Sequence, residues 1–251
     1  MNVMKKIIET KIIENVKAVQ DIYKLTVSAD MGGKPGQFIQ VRLSYDEFTL
    51  RRPFGIASIK NGQLTMFYRL VGRGTEFLSS CQSGDNINLL GPLGNSFNII
   101  DGEKILLVGG GLGLAPLMLA ASCSKSADVL IGGKNADEAN FWAAEFEGLG
   151  NKLFIATDDG SAGFNGFVTE LLPDILNDNN YKKIFVCGPE IMMRKVAEIA
   201  QKNNINCQMS MEKRMACGLG ACLSCSLDTI NGRRKVCKDG PIFNAEEVFN
   251  V

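Results

Sequence analysis

The feature that most constrains this chain is a run of cysteines near its C-terminus. Cys217, Cys222 and Cys225 stand at C-x4-C-x2-C spacing, and Cys237 follows after eleven further residues. Four of the eight cysteines therefore fall within 21 residues. From Met211 onward the segment shows little hydrophobic periodicity, and it is too short to build a core of its own. Such a segment is expected to depend on an inorganic staple. Thiolates are soft ligands that suit iron and sulfide. Gly218 and Gly220 lie inside the run, where the lack of a Cβ lets the loop curl closely around a ligand and offer it N–H groups.

The spacing is that of plant-type [2Fe–2S] proteins, in which a distant fourth Cys completes the set. Cys217, Cys222, Cys225 and Cys237 are the expected metal ligands. A Cys₄ zinc site usually pairs two C-x2-C units, and only one is present. Disulfides are disfavoured because the chain reads as cytoplasmic. It has no run of 18 apolar residues, and Met1 to Ile8 lack both a long apolar stretch and a small-residue cleavage site. Histidine is absent altogether, which excludes Rieske clusters, Cys₂His₂ zinc sites, Ser-His-Asp triads and His acid–base catalysis. No catalytic acid or base is assigned. Lys+Arg and Asp+Glu both count 27, so neither nucleic acid nor an anionic membrane is expected as the main partner. Cys81, Cys123 and Cys207 read as small core hydrophobes.

Upstream, two further zones are legible. Residues 1–100 read as an antiparallel β-barrel. Short β-branched or aromatic runs cover Lys6–Glu14, Ile22–Ser28, Gln37–Leu43, Gly55–Ile59, Leu64–Leu70 and Asn86–Leu90. Turn residues punctuate them, among them Gly32-Gly33, Asn61-Gly62 and Gly91-Pro92. Residues 101–210 read as an α/β domain with a parallel sheet. Its strands are expected at 104–108, 127–132, 152–156, 183–187 and 205–209, and its helices at 114–122, 136–147, 166–176 and 189–202. Residues 211–251 form the cysteine module, so the fold class is multi-domain.

In the barrel, Leu50 to Ile56 place Arg52 ahead of a strand, where its guanidinium can grip a pyrophosphate bidentately. Phe54 is a candidate neighbour for a flavin ring. Tyr68 to Thr75 lead into a short helix, with Gly74 allowing close approach and Thr75 expected as N-cap and phosphate binder. Either segment alone also reads as a plain strand with surface arginines. In the α/β domain, Gly109 to Pro116 join a strand to a helix whose N-terminus favours phosphate. This is not G-x-G-x-x-G, because Pro116 takes the third glycine position, and no clear acid follows about 20 residues on. Thr157 to Gly163 and Val186 to Met192 end two more strands on the same carboxyl edge, where open α/β sheets bind ligands. Asp158 and Asp159 could equally close a turn, and Cys187 could equally be a buried thiol.

The order of parts resembles the ferredoxin reductase superfamily. In that family an Arg-x-[Tyr/Phe]-Ser segment holds FAD, and Arg52-Pro53-Phe54-Gly55 occupies its place here. Arg69, Leu70, Val71, Gly74 and Thr75 are then further candidate FAD contacts. Gly-Gly-x-Gly-x-Ala-Pro at Gly110 to Pro116 and Cys187-Gly188-Pro189 match the family's nicotinamide-nucleotide segments. Gly110, Gly111, Gly113, Asp158, Cys187, Gly188 and Pro189 become the candidate NAD contacts. Gly55 departs from the pattern, so no Ser hydroxyl stands near flavin N5. Met211 to Cys225 and Lys235 to Phe243 look like the electron-transfer subunits of dihydroorotate dehydrogenase B. That resemblance implies one FAD and one [2Fe–2S] cluster per subunit. It also implies an FMN-containing catalytic subunit as partner in a two-plus-two heterotetramer. Electrons would run from dihydroorotate through that FMN, the cluster and FAD to NAD⁺, in pyrimidine (UMP) biosynthesis. A sulfhydrogenase or ferredoxin-reductase subunit, or a zinc-stapled binding module, are the alternatives. No basic residue adjoins Thr157 to Gly163 in sequence, which favours NAD over NADP.

Overall fold

The computed structural model describes residues 5–43 and 47–249; Met1 to Met4, part of the N-terminal reading above, lie outside them. The first half is one antiparallel sheet of seven strands. They are β1 (Lys6–Val19), β2 (Ile22–Ser28), β3 (Phe38–Arg42), β4 (Arg52–Gly55), β5 (Ser58–Lys60), β6 (Gln63–Arg69) and β7 (Asn86–Leu93). Their order is β4-β3-β7-β1-β2-β6-β5. The two edges, β4 and β5, are separated only by Ile56 and Ala57. Ile56 N–H donates to Gln37 O and Ala57 N–H to Thr65 O, at 3.0 Å each. This single segment thus bridges β3 and β6 and closes the sheet into the expected barrel, removing its edges. Period-two alternation fills the interior: Leu25, Val27, Ile39, Val41, Leu64, Met66 and Leu89 share one core. α1 (Arg73–Ser80) lies between β6 and β7.

Sequence and structure differ here in four places. The expected strand Gly55–Ile59 is broken at Ile56 and Ala57, where β4 ends and β5 has not begun. β1 is longer than expected because its first half pairs with β7 and its second with β2, across an irregularity between Ile12 and Glu14. Arg52-Pro53-Phe54-Gly55 does not precede a strand; it is one. Gly91-Pro92 is not a turn but lies inside β7, which continues to pair Leu93 with Phe38.

The second sheet is assembled from alternating strands and helices. The strands are β8 (Ile105–Gly110), β9 (Ala127–Gly133), β10 (Leu153–Thr157), β11 (Phe164–Asn165), β12 (Lys183–Cys187) and β13 (Asn206–Ser210). The helices are α2 (Ala115–Cys123), α3 (Ala136–Glu147), α4 (Val168–Asn177) and α5 (Glu190–Lys202). The order β11-β10-β9-β8-β12-β13 is parallel throughout. Chain order reverses between β8 and β12, so the topological switch point lies at their carboxyl ends. Continuous apolar runs such as Ile105 to Val108 and Ile184 to Cys187 are fully buried, as strands covered on both faces must be.

The C-terminal segment forms a hairpin of β14 (Ser226–Thr229) and β15 (Gly232–Lys235), then α6 (Val236–Asp239), β16 (Ile242–Asn244) and α7 (Ala245–Phe249). It does not stand apart. β16 pairs antiparallel with β13 and becomes the last strand of the nucleotide sheet. Leu227, Val236, Phe243 and Phe249 share a core with Val186 and Met209 of that sheet and with Phe38 and Leu93 of the barrel. The segment borrows its core from both neighbours, rather than relying on a staple alone. Of the cysteines expected in the core, Cys207 is buried and Cys81 half-buried, but Cys123 is exposed at the end of α2.

Candidate functional site

The two halves of the flavin motif meet. An ideal Cβ on Gly74 would fall 2.6 Å from Arg52 Nη2 and 2.7 Å from Nε, so the guanidinium sits against the start of α1. Arg52 also covers the Phe48 ring, 5.3 Å from its centroid. Thr75 is not the N-cap. Gly72 is, and Thr75 Oγ1 reaches back to accept from Val71 N–H at 2.9 Å. Arg52 and Arg73 both stand at a helix N-terminus, where the macrodipole disfavours cations. Glu76 in the first turn offsets only part of this. An anion beside the Arg52 guanidinium would complete the balance, and a pyrophosphate fits that chemistry. Phe54 lies 5.6 Å from the Tyr68 ring, which stacks on Tyr23 at 5.4 Å. The Tyr68 hydroxyl donates to Asn15 Oδ1 at 2.9 Å, and burial holds its pKa above the usual phenol range. Leu70 is half-buried and Val71 is exposed. Gly55 meets the nucleotide domain: a Cβ there would fall 3.1 Å from Pro116 Cβ. Gly55 thus packs against the start of α2.

The Arg69 side chain pairs across the domain seam. Its Nη2 donates to Glu138 Oε1 at 3.1 Å, and its Nε stands 3.4 Å from Asp21. The ion pair ties the end of β6 to the start of α3, beside Gly111, whose Cβ position is 3.4 Å from Glu138 Oε1.

The nucleotide turn fills the switch point. A short 3-10 turn over Gly111–Leu114 follows β8 and leads into α2, with Pro116 in its first turn. A Cβ on Gly113 would fall 2.6 Å from the Cys187 carbonyl carbon and 2.7 Å from Gly188 Cα. A Cβ on Gly110 would fall 3.2 Å from Pro189 Cδ. The Gly-rich turn and Cys187-Gly188-Pro189 are thus one cradle of backbone. Cys187 stays a thiol: burial raises its pKa, the nearby Glu212 carboxylate adds to this, and Ser210 opposes it by hydrogen bonding. Asp158 follows β10, with its N–H on Gly133 O at 3.1 Å. Desolvation raises its carboxyl, as do Glu138 and Asp159, while Lys134 lowers it. Lys134 is a basic neighbour that sequence distance hid.

The four module cysteines stand as two pairs. Cys217 N–H points at Cys222 Sγ at 3.5 Å, and Cys237 N–H at Cys225 Sγ at 3.4 Å. Against a desolvation that raises it, N–H donors of Leu219 and Cys222 bring Cys217 down to about 6. Cys237 is pushed up to about 12 by burial, and by its Cys225 neighbour. Among the described residues, no three His, Cys, Asp or Glu side chains close on a single-ion site. A [2Fe–2S] rhomb takes two thiolates on each iron, which suits two pairs better than the one tetrahedron of a Cys₄ zinc site.

Glu212 and Gln40 also escaped sequence reading. Glu212 follows β13 and acts on Cys187, and desolvation raises its own carboxyl. Its place two residues past a strand at the carboxyl edge was the available signal. Gln40 on β3 is fully buried, and it read as an ordinary strand residue.

A family model described as the iron–sulfur cluster binding domain of dihydroorotate dehydrogenase B matches residues 212–249. The dihydroorotate dehydrogenase B (NAD(+)) electron transfer subunit of Clostridium acetobutylicum is 40% identical over 95% of this chain and 96% of its own length. This chain belongs to the dihydroorotate dehydrogenase B electron transfer subunit family. A further member, described as probable, from Thermoplasma volcanium is 40% identical over 96% of this chain and 91% of its own. Among solved structures, an NADH-dependent reduced ferredoxin-NADP oxidoreductase superposes with a TM-score of 0.87. It shares 29% identity over 95% of this chain and 89% of the other. A ferredoxin NADP+ reductase from Neisseria gonorrhoeae with bound FAD and NADP shares the fold, with a TM-score of 0.66 and 17% identity over 78% of this chain and 93% of its own. The family's electron-transfer subunits and the present chain thus share the barrel, the nucleotide sheet and the cysteine module. No helix among the described residues is long and apolar enough to cross a membrane.

Proposed function

We propose that this chain passes electrons between an FMN-containing dihydroorotate dehydrogenase catalytic subunit and NAD⁺, serving pyrimidine (UMP) biosynthesis. The observation that carries the reading is the position of the cysteine loop, with Gly218 against barrel strand β3, which pairs with the Arg52–Gly55 strand. When bound, FAD exchanges hydride with nicotinamide and electrons singly with a [2Fe–2S] cluster, which joins two-electron to one-electron chemistry. The chain's own residues bind and orient. Arg52, Pro53, Phe54, Gly55, Arg69, Leu70, Val71, Gly74 and Thr75 line the FAD side. Gly110, Gly111, Gly113, Asp158, Cys187, Gly188 and Pro189 hold NAD. Cys217, Cys222, Cys225 and Cys237 hold the cluster. Arg69 also locks the barrel to the nucleotide domain. The units are a barrel over 1–100, a nucleotide domain over 101–210 and a module over 211–251. Two such chains join two catalytic subunits in the cytoplasm.

The test is anaerobic purification alone and with the catalytic subunit. The reading expects FAD, iron and acid-labile sulfide in the isolated chain, and NAD⁺-dependent dihydroorotate oxidation only in the mixture. Zinc in place of iron, or dihydroorotate oxidation by the chain alone, would overturn it. The likeness to the ferredoxin-NADP oxidoreductase favours a second reading, exchange with ferredoxin. Electron transfer to ferredoxin without any response to the dihydroorotate-oxidising subunit would select it.

A further inference from the structure

Gln40 is a buried polar side chain with no hydrogen-bond partner among the described residues. It lies in the middle of β3, between Ile39 and Val41, which face the barrel interior. Alternation turns Gln40 and Phe38 outward, toward the C-terminal module. Phe38 packs there as an apolar residue should, in a core with Cys225 and Cys237. Gln40 is 0% exposed, yet neither Nε2 nor Oε1 has a hydrogen-bond partner among the described residues. Buried amides are nearly always paired, because desolvating one without a partner is costly.

The amide abuts the cluster loop. A Cβ on Gly218 would fall 2.5 Å from Gln40 Cδ and 2.9 Å from Oε1, and would also overlap Nε2. Gly218 has φ +67, so both the backbone and the neighbouring amide require glycine here. Gly218 follows Cys217, whose Sγ takes the Leu219 N–H at 3.4 Å. On its other side, the Gln40 backbone pairs with Pro53 of the flavin strand, and its carbonyl accepts from Arg51 Nη1 at 3.3 Å. Gln40 therefore joins the flavin strand to the sulfur loop through one residue.

We propose that Gln40 is a positioning residue for the iron–sulfur centre, its carboxamide donating an N–H to a sulfide of the cluster, rather than to a cysteine sulfur, on the Cys217 side of the loop. A donor to sulfur favours the reduced, more negative cluster, so it raises the potential. The inference rests on the iron–sulfur reading above.

The test uses the full chain loaded with both cofactors, in wild type, Gln40→Glu and Gln40→Leu. Gln40→Glu keeps the shape but loses the N–H and adds negative charge; Gln40→Leu loses polarity. Both variants should make cluster reduction at least about ten-fold less favourable, which is about 59 mV for one electron, while the flavin potential stays put. Pulsed EPR of the reduced wild-type cluster, grown with ¹⁵N-glutamine, should show a nitrogen coupling that Gln40→Glu abolishes. This wild-type signal keeps the proposal testable if a variant fails to take up cluster. No such coupling, an unchanged cluster potential in Gln40→Glu, or a shift confined to the flavin would each overturn the role of Gln40. Failure of the wild type itself to hold iron and sulfide would instead overturn the iron–sulfur reading.

Discussion

Replacing Glu138 with Ala should loosen the seam between the barrel and the nucleotide domain. The Glu138 side chain is only 2% exposed, and it accepts from Arg69 Nη2 at 3.1 Å and from Lys134 N–H at 3.0 Å. Breaking a buried pair costs about 3–5 kcal/mol when the remaining charge is stranded, and a single hydrogen bond to a charged group contributes about 1.5–3 kcal/mol. Arg69 would not be stranded fully, since its side chain is 27% exposed and Asp21 remains 3.4 Å from its Nε. The expected loss is therefore about 2–3 kcal/mol, below the full buried-pair cost. For a chain of this size each kcal/mol moves the melting temperature by about 2–4 °C, so a fall of roughly 5–10 °C is expected. Thermal melts of the FAD-loaded protein would measure it. Arg69→Ala and the double variant complete a cycle, in which the two losses should overlap by about 0.5–3 kcal/mol. A melting temperature for Glu138→Ala within the range of neutral surface variants, or fully additive single losses, would refute the reasoning.

Three other outcomes follow from the same geometry. Arg52→Ala should weaken FAD by about 1.5–3 kcal/mol, roughly 10- to 100-fold in Kd, through loss of a charge-assisted contact; flavin retained on dialysis as in wild type would count against it. Gly113→Ala drives a methyl into the Cys187 and Gly188 backbone, with contacts at 2.6 and 2.7 Å that no side-chain rotation can relieve. Overpacking of this kind costs about 1–3 kcal/mol, and NADH should bind more weakly while the FAD spectrum is unchanged. Glu212 has its carboxyl raised from 4.5 by desolvation, so folding disfavours its ionised form. Its contribution is present below that value and is lost as pH rises through the higher folded pKa. Gln at this position removes that loss, so the stability difference between Glu212→Gln and wild type should grow with rising pH, read as denaturation midpoints across roughly pH 5 to 8.

The nucleotide sheet was the most legible part of the chain. Lys183–Cys187 and Ala136–Glu147 match their expected bounds, because buried parallel strands are unbroken apolar runs and this helix exceeds three turns. Short elements fixed by partners rather than by pattern were not legible. β11 has two residues and β16 three, and neither carries a periodicity to read. Arg52-Pro53 looks like loop chemistry, yet it is held as a strand by β3. Gln40 among Phe38, Ile39 and Val41 has the alternation of a strand with one wet face. Its burial exists only once residues nearly 180 positions later fold over it. Lys134 and Asp158 are likewise neighbours only through the pairing of β9 with β10. Motif residues were identifiable by type, while their partners across domains required the fold.

The pairing of β16 with β13 has a bearing on any attempt to move this metal-binding cassette between reductases. The cysteines end at Cys237, but the strand that anchors them is Ile242–Asn244, and Phe243 and Phe249 seal it from beneath. A graft ending at the final thiolate would leave the host with an unsealed lateral rim on β13, open to promiscuous strand pairing and clumping. The transferable unit is the loop together with its docking strand and the short helix behind it.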